Sequence, residues 1–307
     1  MSKTSVIILT NEPQKYIEEI LKYLPVSSDN IILDTSPGPE FSLAAAKKYG
    51  ARVISFPPEQ FNHGGTRNFG LNEAKGDIVV FLTQDSVPEA GAVEKLANVF
   101  TNNDVAVAYG RQIPSKDATP FAAHARLFNY PPVSYLRGYS SKGEFGIKAV
   151  FNSNSFSAYR KKALLAAGGF PEDAILSEDM VAAVRLLKNG FKIAYVSEAR
   201  AYHSHNYGIC KEFRRYFDIG VFHEKESWIL SEFGNAEGEG FNFVLSELKY
   251  LRENGYWYLI FGAFVRNLCK YAGYFCGRHY KLLPLPIIKI FTMNKAYWDR
   301  RKAEVGQ

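Results

Sequence analysis

The sequence predicts an α/β fold: a mostly parallel sheet covered by helices, with a helical C-terminal extension. Three observations carry that expectation. Short apolar runs alternate with helical patterns through the first third of the chain, and no hairpin turn joins them, so crossovers connect the strands. The run Ile78–Thr83 carries no charge, the mark of a strand buried on both faces. Aromatic and basic residues crowd the last third, where strand patterns give way to helical ones.

Taken in order, Ser5–Thr10 reads as a buried strand, followed by the loop Asn11-Glu12-Pro13 and a helix to about Leu24 with Ile17, Ile20, Leu21 and Leu24 on one stripe. Ile31–Asp34 is a second strand that ends on an acid before the turn Ser36-Pro37-Gly38-Pro39. A helix to Tyr49, a cap at Gly50 and a strand Arg52–Phe56 follow. In the segment Phe61–Gly70, Gly64 and Gly65 precede a helix to Lys75. Their N–H groups can approach an anion, with Arg67 one residue into the first turn, or the pair can simply be a turn. The Walker lysine and the dinucleotide glycine spacing are both missing.

That helix delivers the chain to the central strand, which ends in Thr83-Gln84-Asp85. Open α/β sheets bind ligands outside the carboxyl ends of their strands, so Asp85 is placed where a hard cation and a phosphate meet. It is also placed to cap the helix that begins near Glu89. After that helix, which runs to Phe100, Val105–Tyr109 reads as a strand at the far side of the sheet. Between Gly110 and Val150 prolines and glycines dissolve the pattern around a short amphipathic piece, Phe121–Phe128. A loop of that length inside a domain is expected to do work at a site.

Asn152–Arg160 is polar and enters a helix to Ala167 that stops at Gly168-Gly169-Phe170-Pro171. Ser177-Glu178-Asp179 then opens a helix to Asn189, whose buried stripe is Met180, Val181, Val184 and Leu187. Two acids in a first turn are favoured by the helix dipole, which alone accounts for Glu178 and Asp179. Phe191–Val196 and Ala199–His203 read as two strands. His203 and His205, two residues apart on an extended chain, face one side, where they reach a common ion or phosphate or form a plain polar face. Arg214 and Arg215 lie on the next helix, Gly208–His223, as forks for an anion or as a solvated basic surface.

The net charge of +6 comes from the tail: residues 241–307 hold 11 Lys/Arg against 4 Asp/Glu, and residues 1–240 hold 26 against 27. A nearly neutral main body disfavours a nucleic-acid-binding module. A basic, aromatic tail suits an anionic membrane surface, or packing on the sheet or on a second copy as a homodimer. Three cysteines without metal-ligand spacing fit a reducing cytoplasm, and the N-terminus lacks the pattern of a signal peptide. No apolar run is long enough to span a bilayer, so the expected location is cytoplasmic, at most against the inner face of the membrane.

The ordered set formed by the strand ending in Thr10, the strand ending in Asp34, His63-Gly64-Gly65-Thr66-Arg67-Asn68 and Thr83-Gln84-Asp85 resembles the nucleotide-sugar-binding half of GT-A glycosyltransferases, the inverting family 2 in particular. Within it, those motifs look most like the bacterial dTDP-L-rhamnose-dependent rhamnosyltransferases. The resemblance spans Thr4 to about His223, and divides the chain into a GT-A domain over 1–225 and a helical region over 226–307. It implies that Thr10, Asp34, Gly65, Arg67 and Gln84 hold the donor nucleotide. Asp85 stands where the family has its metal ligand, with His203 or His205 completing the shell of Mg²⁺ or Mn²⁺. The motif has only one carboxylate, since Gln84 and Ser86 flank Asp85.

A Gly-Gly-Phe turn followed by Glu-Asp is similar to the family's acceptor-side motif, which makes Asp179 the general base that an inverting single displacement requires. Glu178 then points elsewhere, since adjacent helical residues do not share a face. Asn154, Glu178, Arg214 and Arg215 are the candidates for contact with acceptor or diphosphate. The resemblance implies transfer of a sugar to a saccharide or lipid-linked saccharide in cell-surface polysaccharide synthesis. The rival is a non-catalytic nucleotide-sugar or carbohydrate-binding protein on the same fold.

Overall fold

The computed structural model describes residues 3–13, 16–234 and 237–305. The described residues form one nine-stranded sheet: β1 (Thr4–Thr10), β2 (Asp29–Asp34), β3 (Arg52–Ser55), β4 (Ile78–Thr83), β5 (Val87–Pro88), β6 (Val105–Ile113), β7 (Tyr135–Arg137), β8 (Phe156–Arg160) and β9 (Lys192–Tyr202). Their order is β3-β2-β1-β4-β8-β6-β9-β5, with β7 also paired to β9. Strands β1, β2, β3 and β4 are mutually parallel, as are β6 and β9, and β8 runs antiparallel between β4 and β6. Most of the sheet therefore points its carboxyl ends to one edge.

The first eight helices are α1 (Ile17–Lys22), α2 (Glu40–Tyr49), α3 (His63–Glu73), α4 (Ala92–Asn98), α5 (Pro120–Asn129), α6 (Lys142–Phe145), α7 (Lys161–Ala166) and α8 (Glu178–Lys188). Six more complete the chain: α9 (Ile209–Lys225), α10 (Ser227–Phe233), α11 (Glu237–Glu253), α12 (Ile260–Arg278), α13 (Leu285–Phe291) and α14 (Lys295–Val305). Alternation along β1 sorts the two cores. Val6 and Ile8 pack with Ile17, Ile20 and Leu21 of α1, Ala45 of α2 and Leu96 of α4. Ile7 and Leu9 join Leu71 of α3, Val184 of α8 and Phe217 of α9 on the opposite face. Burying a side chain of this kind stabilises by about 1.5–3 kcal/mol.

The structure corrects several expectations. The polar stretch before Ala167 contains a strand: Phe156–Arg160 inserts between β4 and β6, its polar look arising because Ser157 and Arg160 alternate with buried Phe156, Ala158 and Tyr159. Val105–Ile113 is consequently an interior strand rather than one at the far side. The two strands expected over 191–203 are one, with a bulge where Gly110 and Arg111 shift register against Val196 and Arg200. The helix expected after the Gly-Gly segment begins earlier, at His63, with Asn62 as its cap. Gly64 lies inside its first turn, where a Cβ would come within 1.9 Å of the Pro171 carbonyl oxygen. Close packing therefore explains that glycine. The loop over 110–150 carries α5, β7 and α6.

The C-terminal helices are organised by α12, which lies along α9. A Cβ on Gly273 would meet the Phe213 carbonyl oxygen at 2.4 Å, and one on Gly220 the Tyr274 carbonyl oxygen at 2.3 Å, so the two backbones touch. No helix among the described residues is long and apolar enough to cross a membrane.

Candidate active site

Asp85 sits two residues past β4, and His203 follows the end of β9, so parallel running brings both to one edge of the sheet. Thr83 Oγ1 donates to Asp85 Oδ1 at 2.8 Å, which fixes the carboxylate. His203 Nδ1 lies 3.5 Å from Asp85 Oδ1 and 3.1 Å from the Asp85 carbonyl oxygen, and His205 Nδ1 is 3.7 Å from Oδ2. One ligand atom from each of Asp85, His203 and His205 falls within 4.8 Å of the others. Burial holds both imidazoles well below their usual range, with Arg126 and Arg215 also lowering them. They are neutral, the form that ligates metal. One carboxylate and two neutral imidazoles suit Mn²⁺ well, since imidazole is a better ligand for a transition metal than for Mg²⁺.

The second half of the site is built on Asn154, just before β8. Its backbone N–H donates to Asp179 Oδ2 at 3.0 Å, and its side-chain amide donates to Glu178 Oε1 at 2.9 Å. Its own carbonyl oxygen accepts from Ser157 and Tyr159, both at 2.7 Å. One buried residue thus orients two adjacent carboxylates, with its backbone and its side chain. Glu178 also pairs with Arg67 at 3.1 Å, and both side chains are buried. Burial works to raise the Glu178 carboxyl, but Arg67 leads the groups that hold it below its usual value. No cation pairs directly with Asp179 among the described residues, although the Arg67 charge lowers it to a lesser degree. Its enclosure, and next the Glu178 charge beside it, push it up to about 7, although the residue as a whole is only half-buried. Ser177 before it adopts a left-handed φ of 58°, a strained entry into α8 of the kind found at functional sites.

The two halves adjoin. The Thr83 N–H donates to the Ser155 carbonyl oxygen at 3.4 Å, tying the Asp85 loop to the residue after Asn154. Arg126 of α5 lies between them: Nη1 donates to Gln112 Oε1 at 2.6 Å, Gln112 donates to Ser153 Oγ at 2.9 Å, and the Asp85 charge acts on the guanidinium. Its Nε is buried with no hydrogen-bond partner among the described residues, as is that of Arg67. Arg126 falls in the stretch from which sequence reasoning singled out no residue. The only signal for it was a basic residue on a short amphipathic piece.

Of the other anticipated residues, Gln84 Oε1 accepts from Thr10 Oγ1 at 2.8 Å and from the N–H groups of Asn11 and Glu12 at 2.9 Å, which shapes the loop after β1. Asp34 is 1% exposed and binds the Ser36 N–H and the Ser42 hydroxyl, so it orders the turn into α2. The Gly65 N–H is taken by Asn62 Oδ1 at 2.5 Å, which leaves that donor satisfied within the chain. Arg215 is exposed and acts electrostatically on His63, Arg126, His203 and His205. Arg214, about 100° around the helix from it, is exposed as well.

An open, mostly parallel sheet with Asp85 and His203 at the carboxyl ends of β4 and β9, and with Glu178 and Asp179 at the start of α8 beside the antiparallel β8, is the GT-A glycosyltransferase arrangement. Solved structures share this fold: the mannosyltransferase PcManGT from Pyrobaculum calidifontis, in complex with GDP-Man and Mn²⁺, aligns at a TM-score of 0.56 with 16% identity, over 99% of this chain and 86% of that one. TarS 1-349 of S. aureus in complex with UDP-GlcNAc aligns at 0.53 with 14% identity, over 91% and 92%. The chain belongs to glycosyl transferase family 2, whose description matches residues 4–166. It is 46% identical over 275 residues to the O-antigen chain rhamnosyltransferase WbaN of Salmonella anatum, covering 89% of this chain and 86% of that protein. It is also 41% identical over 272 residues to the O-antigen chain rhamnosyltransferase RfbN of Salmonella typhimurium, covering 88% and 86%.

Proposed function

We propose that this glycosyltransferase moves L-rhamnose from dTDP-L-rhamnose to a saccharide acceptor of O-antigen type, carried on a lipid at the cytoplasmic face of the membrane, with inversion at the anomeric carbon. The identity to two O-antigen rhamnosyltransferases over nearly nine tenths of the chain supports the sugar and the polymer. The observation that carries the mechanism is the pairing of Asn154 with Asp179 one residue from the Ser155 link to the Asp85 loop.

In this mechanism Asp85, His203 and His205 would hold Mn²⁺ or Mg²⁺. A bound divalent cation supplies charge neutralisation of the departing nucleoside diphosphate. Arg126 and Arg215 face the same anion with guanidinium groups. Thr10, Asp34 and Gln84 shape the loops that hold the nucleotide. Gly65 shapes the start of α3, and Arg67 acts through Glu178. Asp179 accepts the proton of the acceptor hydroxyl as its oxygen attacks the anomeric carbon, and a carboxyl that titrates near neutrality is matched to that task. Asn154 aims it, and Glu178 keeps Arg67 occupied. Purified protein given Mn²⁺, dTDP-L-rhamnose and a lipid-linked saccharide should release dTDP and lengthen the acceptor by one sugar. Release from another sugar nucleotide but not from dTDP-L-rhamnose would reassign the donor.

A further inference from the structure

Glu178 and Asp179 are supported by the first turn of α3 and by the loop that leads into α8, and one distant segment holds both supports. Arg67 Nη1 donates to the His63 carbonyl oxygen at 2.9 Å and lies 3.1 Å from Glu178 Oε1, so a single nitrogen joins the start of α3 to the acid beside Asp179. The loop before α8 is tied to the same helix: Asn68 donates to the Phe170 carbonyl oxygen and accepts from the Phe170 N–H, both at 2.9 Å. Residues 292–301 reach the two together. Fully buried Asp218 of α9 accepts from the Thr292 hydroxyl at 2.5 Å, the Met293 N–H at 3.0 Å and the Asn294 side-chain amide at 2.9 Å. With that nitrogen given to Asp218, the Asn294 side chain also bonds to the His63 ring. Burial lowers the His63 imidazole while this bond works to raise it, which is the action of an accepting oxygen.

Further along, Arg300 Nη1 of α14 donates to the Phe61 carbonyl oxygen at 2.7 Å, one residue before the Asn62 cap of α3. Lys225 of α9 donates both to the Tyr297 hydroxyl at 2.8 Å and to the Asp173 carbonyl oxygen at 3.1 Å, which carries the tie to the loop before α8. A cavity of about 40 Å³ is lined by Phe61, His63, Ala174, Ile175, Asn294 and Tyr297. Close packing alone therefore does not fix the turn at 61–63, and the hydrogen bonds from Asn294 and Arg300 do. We propose that Asn294 and Arg300 are positioning residues for sugar transfer: through the first turn of α3 and Arg67 they hold Glu178, and with it Asp179, in working geometry. The proposal rests on Asp179 being the base. Asp85 and His203 are held by other bonds, from Thr83 and within the pair, so the metal half of the site is left out of this set.

Asn294→Ala and Arg300→Ala each remove one tie. In either variant kcat should fall by roughly ten- to a hundredfold, the loss that a misplacement of about 1 Å produces. Donor KM, and the rise in Tm that Mn²⁺ with dTDP-L-rhamnose gives, should stay as in the unaltered protein, because donor binding is not what the ties serve. Both side chains are half-buried, and near-ultraviolet circular dichroism checks the fold; Arg300→Ala carries the test if Asn294→Ala does not fold. Combined with Glu178→Gln, either change should add less than about threefold to the loss in kcat that Glu178→Gln causes alone, since both act on one carboxylate, whereas independent effects multiply. The same cycle followed by denaturant unfolding should also be non-additive, whichever acid takes the proton, and Asp179→Asn tests the base by itself, so the two failures are told apart. Unaltered kcat in both single variants, a raised donor KM with kcat unchanged, or losses that multiply with that of Glu178→Gln would each overturn the proposal.

Discussion

Asn154 donates its backbone N–H to Asp179 at 3.0 Å while its side chain donates to Glu178 at 2.9 Å. Two neighbouring carboxylates are thereby given opposite environments. Glu178 is paired with Arg67 and stays ionised, whereas Asp179 is enclosed, faces a like charge and titrates near neutrality.

That asymmetry sets a pH dependence. The base must be ionised to work, so kcat should fall about tenfold per pH unit below roughly pH 7. Stability should move the other way. The folded-state value lies above that of an ordinary aspartate, so the contribution of this carboxyl to stability is complete below its unfolded value and is lost as pH rises through about 7. Asp179→Asn removes the loss, and thermal melts should show the variant more stable than the unaltered protein at pH 8 and equal to it at acid pH. A variant no more stable at pH 8 would contradict the enclosure of Asp179.

Glu178→Gln should shift the acid limb of the kcat profile to lower pH, because it removes the like charge that helps raise Asp179. It also strands a buried guanidinium, which costs about 3–5 kcal/mol. Denaturant unfolding measures the second effect and a pH–rate profile the first. An unshifted limb would separate the two acids electrostatically.

Asp85→Ala and His205→Ala should abolish the metal-dependent part of donor binding. In the unaltered protein, Mn²⁺ with dTDP-L-rhamnose at a hundred times Kd should stabilise the fold by about 2.7 kcal/mol, read as a rise in Tm that chelation with EDTA should reverse. In either variant the added Mn²⁺ should produce no further rise. A full metal-dependent shift in Asp85→Ala would remove Asp85 from the ligand set.

Much of the frame was legible in the sequence because buried parallel strands carry a plain signature. Ile78–Thr83 and Ser5–Thr10 are apolar on both faces, and the acids that follow Ile78–Thr83 and close Ile31–Asp34 mark the edge where Asp85 lies. Asp85, His203 and His205 could be grouped because strand periodicity places the histidines on one side. Phe156–Arg160 escaped because Ser157 and Arg160 gave a central strand a polar look, and its antiparallel insertion requires no local turn signal. The role of Asn154 escaped with it, since its partners are 24 and 25 residues away. Arg126 was invisible for a related reason: only the assembled sheet brings α5 beside Gln112 and Asp85.

The central claim is that Asp179 takes the acceptor proton without holding the donor, and Asp179→Asn separates the two roles. The amide keeps an oxygen for the Asn154 N–H, so donor-induced stabilisation with Mn²⁺ should match that of the unaltered protein while transfer falls by roughly 10²–10⁴. Transfer at the normal rate by this variant would contradict the account.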